Sequence, residues 1–336
     1  MVTVAVAGGT RGIGRAIAET IKSQGKHDVK ILSRTTNPKL EAESRCEIIA
    51  VDYGDVSGLT KVLVENSVGT VISTIFLTDT GEPQTNLIRA SEASQCTRRF
   101  IPSVWGIPYT MDQLKDFPIG RAKLEALQAL EKSSLEYTLF YVGYFLDFWG
   151  HPHVKTYQLP NIVAVDIEFN VAAIPGTGET PVVFTHTFDV AKFVAAALEL
   201  STWDRESYVI GDTVTWNQFV QIAEEVKGTN FKVTYDSLDL LRAGKVTELP
   251  SHPPLYAHMP KEEIQRIFSV FGVWFHEGLF NLQPKKTLNS VFPGIKVWTV
   301  KELLQSAWGG NRHPTATAAV AASLASRGDM LHKVNQ

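Results

Sequence analysis

The chain has 336 residues, 44% of them hydrophobic and 20% charged, with a net charge of −3. That balance is ordinary for a globular protein of one large domain plus a smaller lobe, and it offers no broad field for nucleic acid or an acidic membrane. Two cysteines, Cys46 and Cys96, make no disulfide framework, and they fit a reducing compartment, the cytoplasm. No basic leader precedes a long apolar run, and no stretch of about 18 apolar residues marks a membrane span.

The first half alternates strand and helix signals. Val2 to Ala7 reads as a buried strand. Ile13, Ala16, Ile17 and Ile21 recur at helical spacing, which predicts a helix over 11–24. Strands follow at Val29–Ser33, Glu47–Val51, Thr70–Phe76, Arg99–Pro102 and Tyr137–Tyr141, with helices at Leu59–Asn66, 83–95 and 119–132, the last opened by Pro118. Such strict alternation implies a Rossmann-like, doubly wound parallel sheet with helices on both faces.

After residue 150 the pattern changes. Asn161–Val165 and Val182–Thr185 read as strands and Phe188–Leu200 as a helix. Thr215 and Gln218 have capping-box spacing before a helix that runs to Val226. Residues 236–290 are rich in proline and aromatics. The expected organisation is a dinucleotide-binding domain over 1–150, with returning segments at about 182–200 and 291–308. A smaller α+β substrate lobe takes most of 151–308, and 309–336 form an alanine-rich tail. That tail is either a loose end or a helix for docking a second copy in a homodimer.

Near the N-terminus stands AVAGGTRGIG, a glycine-rich turn between the first strand and the first helix. Gly8 serves the sharp turn, Gly12 the approach of backbone N–H groups to a pyrophosphate, and Gly14 close helix–strand packing. Thr10, Arg11 and Ile13 complete the loop. The second strand ends in Ser33 and Arg34 where an NAD-binding unit usually carries an acid. Arg34 and Arg11 therefore point to a 2′-phosphate and to NADP(H), with a solvated surface arginine as the plain alternative for each. Asp52 ends the third strand and would meet the adenine or cap the next turn. Ser73, Thr74, Ile75 and Ser103 follow strands at the ligand edge, where they would line the cofactor or cap helices.

With AVAGGTRGIGRAI, ILSR, VDYGD, VISTIF with Gln84 just beyond, RFIPSVWG and GRAKLEALQALEKSSLEYTLFYVGYFLDFW in place, the chain resembles the NmrA-like and isoflavone reductase-like branch of the atypical short-chain dehydrogenases. The resemblance implies an NADPH-binding Rossmann domain with a small C-terminal substrate lobe. Many relatives are reductases of aromatic secondary metabolites, and some are regulators that bind the dinucleotide without turning it over. It also implies that Lys123 matches the family's catalytic lysine, and it adds Gln84 and Val142 to the cofactor set. The chain departs from the family pattern at Arg11, at Val104 and Trp105, and at Gly143.

Ordinary short-chain dehydrogenases place a tyrosine four residues before a lysine. Here that position is Ile119, and neither Tyr109, Tyr137 nor Tyr141 has a lysine four residues later. Lys123 itself shares a helical face with Leu127 and Leu130. A lysine on a packed face is costly without a partner or a task, and burial would suit it to proton transfer; the plain alternative is a lysine that only binds the cofactor ribose. Trp105, Tyr144, Phe145, Trp149 and Trp274 are candidates for an aromatic substrate pocket, against the commoner role of core. His151 and His153 with Asp147 give no convincing metal site, and no metal is expected; His151 or Tyr144 is a secondary candidate for proton donor. The expected activity is NADPH-dependent reduction of a small aromatic or conjugated ketone or enone with Lys123 as proton donor. Two other readings stand beside it: a dinucleotide-sensing regulator, and an isomerase, dehydratase or cyclase without net redox.

Overall fold

The structure, a computed structural model, describes residues 1–76, 81–110, 113, 119–257 and 259–310. Pro118 and most of the alanine-rich tail lie outside these. The chain divides into two compact units. The first comprises Met1–Val142, Thr187–Val209 and Pro284–Lys296; the second comprises Gly143–His186, Ile210–Gln283 and Val297 onward.

The first unit follows the expected alternation: β1 (Thr3–Ala7), α1 (Gly12–Gln24), β2 (Asp28–Ser33), α2 (Pro38–Ser44), β3 (Glu47–Ala50), α3 (Val56–Glu65), β4 (Val68–Ser73), α4 (Glu82–Ser94), β5 (Arg99–Ile101), α5 (Ile119–Glu131), β6 (Glu136–Tyr137) and β7 (Leu139–Tyr141). The sheet order is β3-β2-β1-β4-β5-β6, with every pairing parallel. The order reverses direction between β1 and β4, and ligands bind at such a switch, outside the carboxyl ends of the strands. β7 pairs in parallel with the returning strand Glu206–Tyr208.

Burial accounts for these elements. Val4, Ala5, Val6 and Ala7 are fully enclosed, as a central parallel strand covered on both faces must be. α1 buries Ile13, Ala16, Ile17 and Ile21 and packs against helix Thr187–Ala197. The α2 helix, too short to give a periodic signal, is set by Asn37, whose side chain accepts from the Leu40 N–H, and by Pro38 at its first position. Asp55 caps α3 in the same way.

Three expectations are corrected. β4 stops at Ser73 rather than at Phe76, because its neighbour β1 ends at Ala7; the Thr74 N–H makes the last bond of that ladder, to the Ala7 carbonyl at 2.8 Å, and its hydroxyl adds a second at 2.7 Å. The sixth strand is interrupted at Thr138, whose side chain hydrogen-bonds with Ser207. The strand expected at Asn161–Val165 is reduced to Val165–Asp166, since Asn161 is held by the Tyr144 hydroxyl instead.

The second unit has two small sheets. Strand Pro181–Thr185 lies between Tyr144–Phe145 and Asp212–Thr215, and Val171–Pro175 lies between Val165–Asp166 and Lys232–Asp236. The strand over 181–185 therefore belongs here and not among the segments returning to the first unit. Helix Trp216–Lys227 carries the expected Thr215–Gln218 capping box and packs on helix Val300–Trp308. The core is aromatic, with Trp149, Phe184, Trp216, Phe219 and Phe275 all buried and their rings in contact. Among the described residues no helix is long and apolar enough to cross a membrane.

Ile17 is fully buried, so Ile17→Ala should lower stability by about 2–5 kcal/mol through lost contact and a residual cavity. Val64→Ala, on the exposed face of α3, should stay within about 0.5 kcal/mol. Urea unfolding followed by circular dichroism checks both.

Candidate cofactor and active site

The glycine loop is built on a close approach. Gly8 has φ +79°, and a Cβ there would lie 2.8 Å from the Thr74 carbonyl oxygen. A Cβ on Gly14 would collide with the Thr74 hydroxyl. The start of α1 is thus pressed against the end of β4. No side chain caps α1: its N-cap residue, Arg11, makes no capping hydrogen bond, and its first turn holds no acid. An uncapped helix N-terminus with its positive dipole end is a place for a phosphate.

Arg11 and Arg34 stand beside this loop. Both are exposed as whole residues. Local desolvation of the guanidinium, and then repulsion from Arg34, hold Arg11 below the ordinary arginine range, although an arginine remains charged at neutral pH. Among the described residues no carboxylate pairs with either. Arg15, one turn into α1, is by contrast committed to Glu19 and Glu43 at 2.8 and 3.0 Å. Two crowded cations without a counter-charge favour a bound anion.

Around the switch point each expected residue has a definite place. Thr10 and Ser33 are partly exposed at the loop and at the end of β2, while Ile13 is buried in α1. Asp52 is exposed, and its Oδ1 accepts from the Gly54 N–H at 2.8 Å, so it caps the turn. Ser73 is fully buried and its hydroxyl has no hydrogen-bond partner. The Ile75 carbonyl accepts from the Ser103 hydroxyl at 2.9 Å. Gln84, in the first turn of α4, is fully buried. Its Oε1 accepts from the Ser103 N–H at 2.6 Å, which fixes the amide orientation and leaves Nε2 without a partner. A buried polar group left unmade costs about 1–3 kcal/mol. The Val142 N–H donates to the Gly106 carbonyl at 2.8 Å, and this bond stitches the loop after β5 to the end of β7.

Lys123 lies in the second turn of α5, toward the ligand edge, since a crossover helix begins where its strand ends. It is half-buried beside the packed stripe of Ala122, Ala126 and Leu130. Leu127, one turn further on the same face, is half-buried like Lys123, and Leu130 is buried. The start of α4 sets its position: Gly81, with φ +56°, lies so near α5 that a Cβ would come within 2.9 Å of the Ala122 Cα. The Lys123 ammonium donates to the Tyr109 hydroxyl at 3.0 Å and lies 4.2 Å from that ring's centroid.

Tyr109, set aside in the sequence because no lysine follows it four residues on, lies fourteen positions before Lys123, on the loop after β5. A second tyrosine was not singled out at all. Tyr53, next to Asp52 in VDYGD, donates to the Leu32 carbonyl at 3.0 Å beside the glycine loop; burial raises its phenol above the ordinary range.

The aromatic candidates are tied into the structure. The Trp105 indole N–H donates to the Ser73 carbonyl at 3.0 Å, and its ring meets Phe140. Trp149 donates to the Val165 carbonyl at 2.8 Å and is buried, as is Trp274; both are core residues of the second unit. Phe145 is half-buried against Phe148. Tyr144 is buried among Phe148, Phe271 and Phe275, and desolvation pushes its phenol far up. His151 bonds the Gln158 carbonyl at 2.7 Å, and burial lowers its basicity. Among the described residues no group of three potential ligands is placed to hold a metal ion.

Residues 2–288 match the NmrA-like family. The chain belongs to that family. Two similar proteins are named oxidoreductases. Oxidoreductase BOA1 of Botryotinia fuckeliana is 35% identical over 300 residues, covering 88% of this chain and 96% of its own. Oxidoreductase swnN of Metarhizium robertsii is 32% identical over 340 residues, covering 92% and 98%. This NmrA-like chain is, with them, an oxidoreductase. Its fold is that of AtPrR2, solved with NADP+ and (+)-pinoresinol, with a TM-score of 0.68 at 20% identity over 90% of this chain and 98% of that one.

If Arg11 and Arg34 take a 2′-phosphate, 2′,5′-ADP should bind about tenfold tighter than 5′-AMP, which differs from it only by that phosphate, a difference of about 1.4 kcal/mol. Arg34→Asp should erase that preference, and calorimetry measures both.

Proposed function

We propose that this NmrA-like chain is an NADPH-dependent reductase of small aromatic or conjugated ketones or enones, with Lys123 as the proton source. One observation carries the reading: the carboxyl edge of a single sheet presents both a phosphate cradle and a lysine ammonium. The uncapped start of α1 and the Gly8–Gly14 loop suit the pyrophosphate. The Arg11–Arg34 pair suits the 2′-phosphate, and the unpaired Ser73 Oγ and Gln84 Nε2 suit polar atoms of the nicotinamide half. The neighbour that carries NADP+ and (+)-pinoresinol supports both the cofactor and a small-molecule substrate. Kinship with named oxidoreductases favours redox chemistry over a regulator or an isomerase. Two unpaired cysteines support a cytoplasmic protein.

When bound, NADPH supplies a hydride to the substrate. Charge then builds on the substrate oxygen, and the Lys123 ammonium stabilises it and provides the proton. An Nζ–H bond breaks, the product's O–H or C–H bond forms, and solvent reprotonates the amine. Fixed donors at the buried edge hold the reactants without reorganising.

Calorimetric titration of NADPH and NADH, followed by NADPH absorbance decay with benzylideneacetone and 9,10-phenanthrenequinone, tests the reading. Tight NADPH binding, a preference over NADH and turnover of a carbonyl are expected. Equal affinity for the two cofactors removes the 2′-phosphate assignment. Lys123→Ala should leave NADPH affinity nearly unchanged and slow turnover by roughly 100-fold; full retained turnover removes Lys123 from the chemistry.

A further inference from the structure

Lys123 does not stand alone on its edge, and what it touches is a second group able to carry a proton. Its ammonium donates to the Tyr109 hydroxyl at 3.0 Å. Because the lysine is the donor, the phenol enters the pair as acceptor and keeps its own proton.

The two residues come from separate segments, each independently anchored. Tyr109 ends a loop that leaves β5, pairs at Gly106 with Tyr141 in a parallel bridge, and sinks Ile107 completely into the core. Its hydroxyl lies 3.8 Å from where Gly106 would carry a Cβ, so it stands over the carboxyl ends of β5 and β7. Lys123 is set from the other side by the contact of Gly81 with Ala122. Both side chains are half-buried, a setting in which a polar pair keeps its geometry and remains open to a reactant.

We propose that Tyr109 is the catalytic residue that hands the proton to the substrate oxygen, with Lys123 resupplying it. The proposal rests on the reductase reading above and refines it. As hydride reaches the carbonyl carbon, the Tyr109 O–H bond breaks and the substrate O–H bond forms. The phenolate is held by the neighbouring ammonium and then takes a proton from Nζ. The neutral amine is recharged by solvent. Charges and protons balance, and no reactant is needed beyond the reduced cofactor, the carbonyl compound and water. A phenol next to a cation also offers a hydrogen bond in the direction of a carbonyl oxygen, which a flexible lysine acting alone would supply less rigidly.

The test has two arms. Protein labelled with ζ-13C-tyrosine has nine tyrosines, and Tyr109→Phe identifies one resonance by deleting it. Lys123→Met should move that resonance, and a resonance left in place overturns the pair. In the kinetic arm, run on whichever of benzylideneacetone and phenanthrenequinone wild type reduces, Tyr109→Phe should lower kcat by about 100-fold. NADPH affinity should be unchanged, and the solvent isotope effect should be altered. The double variant Tyr109→Phe/Lys123→Met should be no slower than the worse single variant, as expected of residues that act as a unit. Wild-type turnover in Tyr109→Phe overturns the proposal and leaves the reductase reading intact. A wild-type protein that binds no NADPH overturns the reading itself.

Discussion

Gly8 and Gly14 leave room for no side chain against Thr74, and the site is arranged around that contact. It brings the first turn of α1 to the end of β4 at the point where the strand order reverses. Thr74 in turn gives its N–H and hydroxyl to the Ala7 carbonyl, the last rung between β1 and β4, so it is anchored where β4 ends. The chain that leaves there supplies the Ile75 carbonyl to Ser103, and Ser103 orients Gln84. One close approach thus propagates through backbone and amide to a buried donor with nothing to bond.

Electrostatics divides the same edge into two regions. At the β2 end, Arg11 and Arg34 crowd one another and pair with no carboxylate among the described residues, while nearby Arg15 is neutralised twice over. At the β5 end, a single ammonium is shared with a phenol. The first arrangement stores repulsion that an anion relieves. The second keeps a cation in place without cancelling its charge.

Much of this was legible beforehand. A buried strand, a glycine turn and an amphipathic helix are local patterns, so β1, α1 and β2 emerge within a residue or so of their bounds. The paired guanidiniums were also readable, because both follow short motifs. Legibility failed where distant contacts decide. Ile75 and Phe76 continue an apolar run, yet the strand stops before them because the neighbouring β1 ends at Ala7, where the glycine turn begins. Asn161 begins an apolar stretch, but the Tyr144 hydroxyl claims it. Trp149 could be a pocket wall or core by its sequence alone, and in the structure it is buried against Phe184, Trp216 and Phe219. The tyrosine partner of Lys123 was invisible because helical spacing governs only residues on one helix, and Tyr109 reaches the lysine from a loop.

The bond from the Trp105 indole to the Ser73 carbonyl has an optical consequence. It pins a tryptophan at the strand edge where the nicotinamide half is proposed to lie. Tryptophan emission overlaps the absorption of a reduced nicotinamide, so excitation energy would pass from Trp105 to the cofactor and be lost on oxidation. The protein therefore carries its own spectroscopic gauge of the oxidation state of whatever occupies its glycine loop.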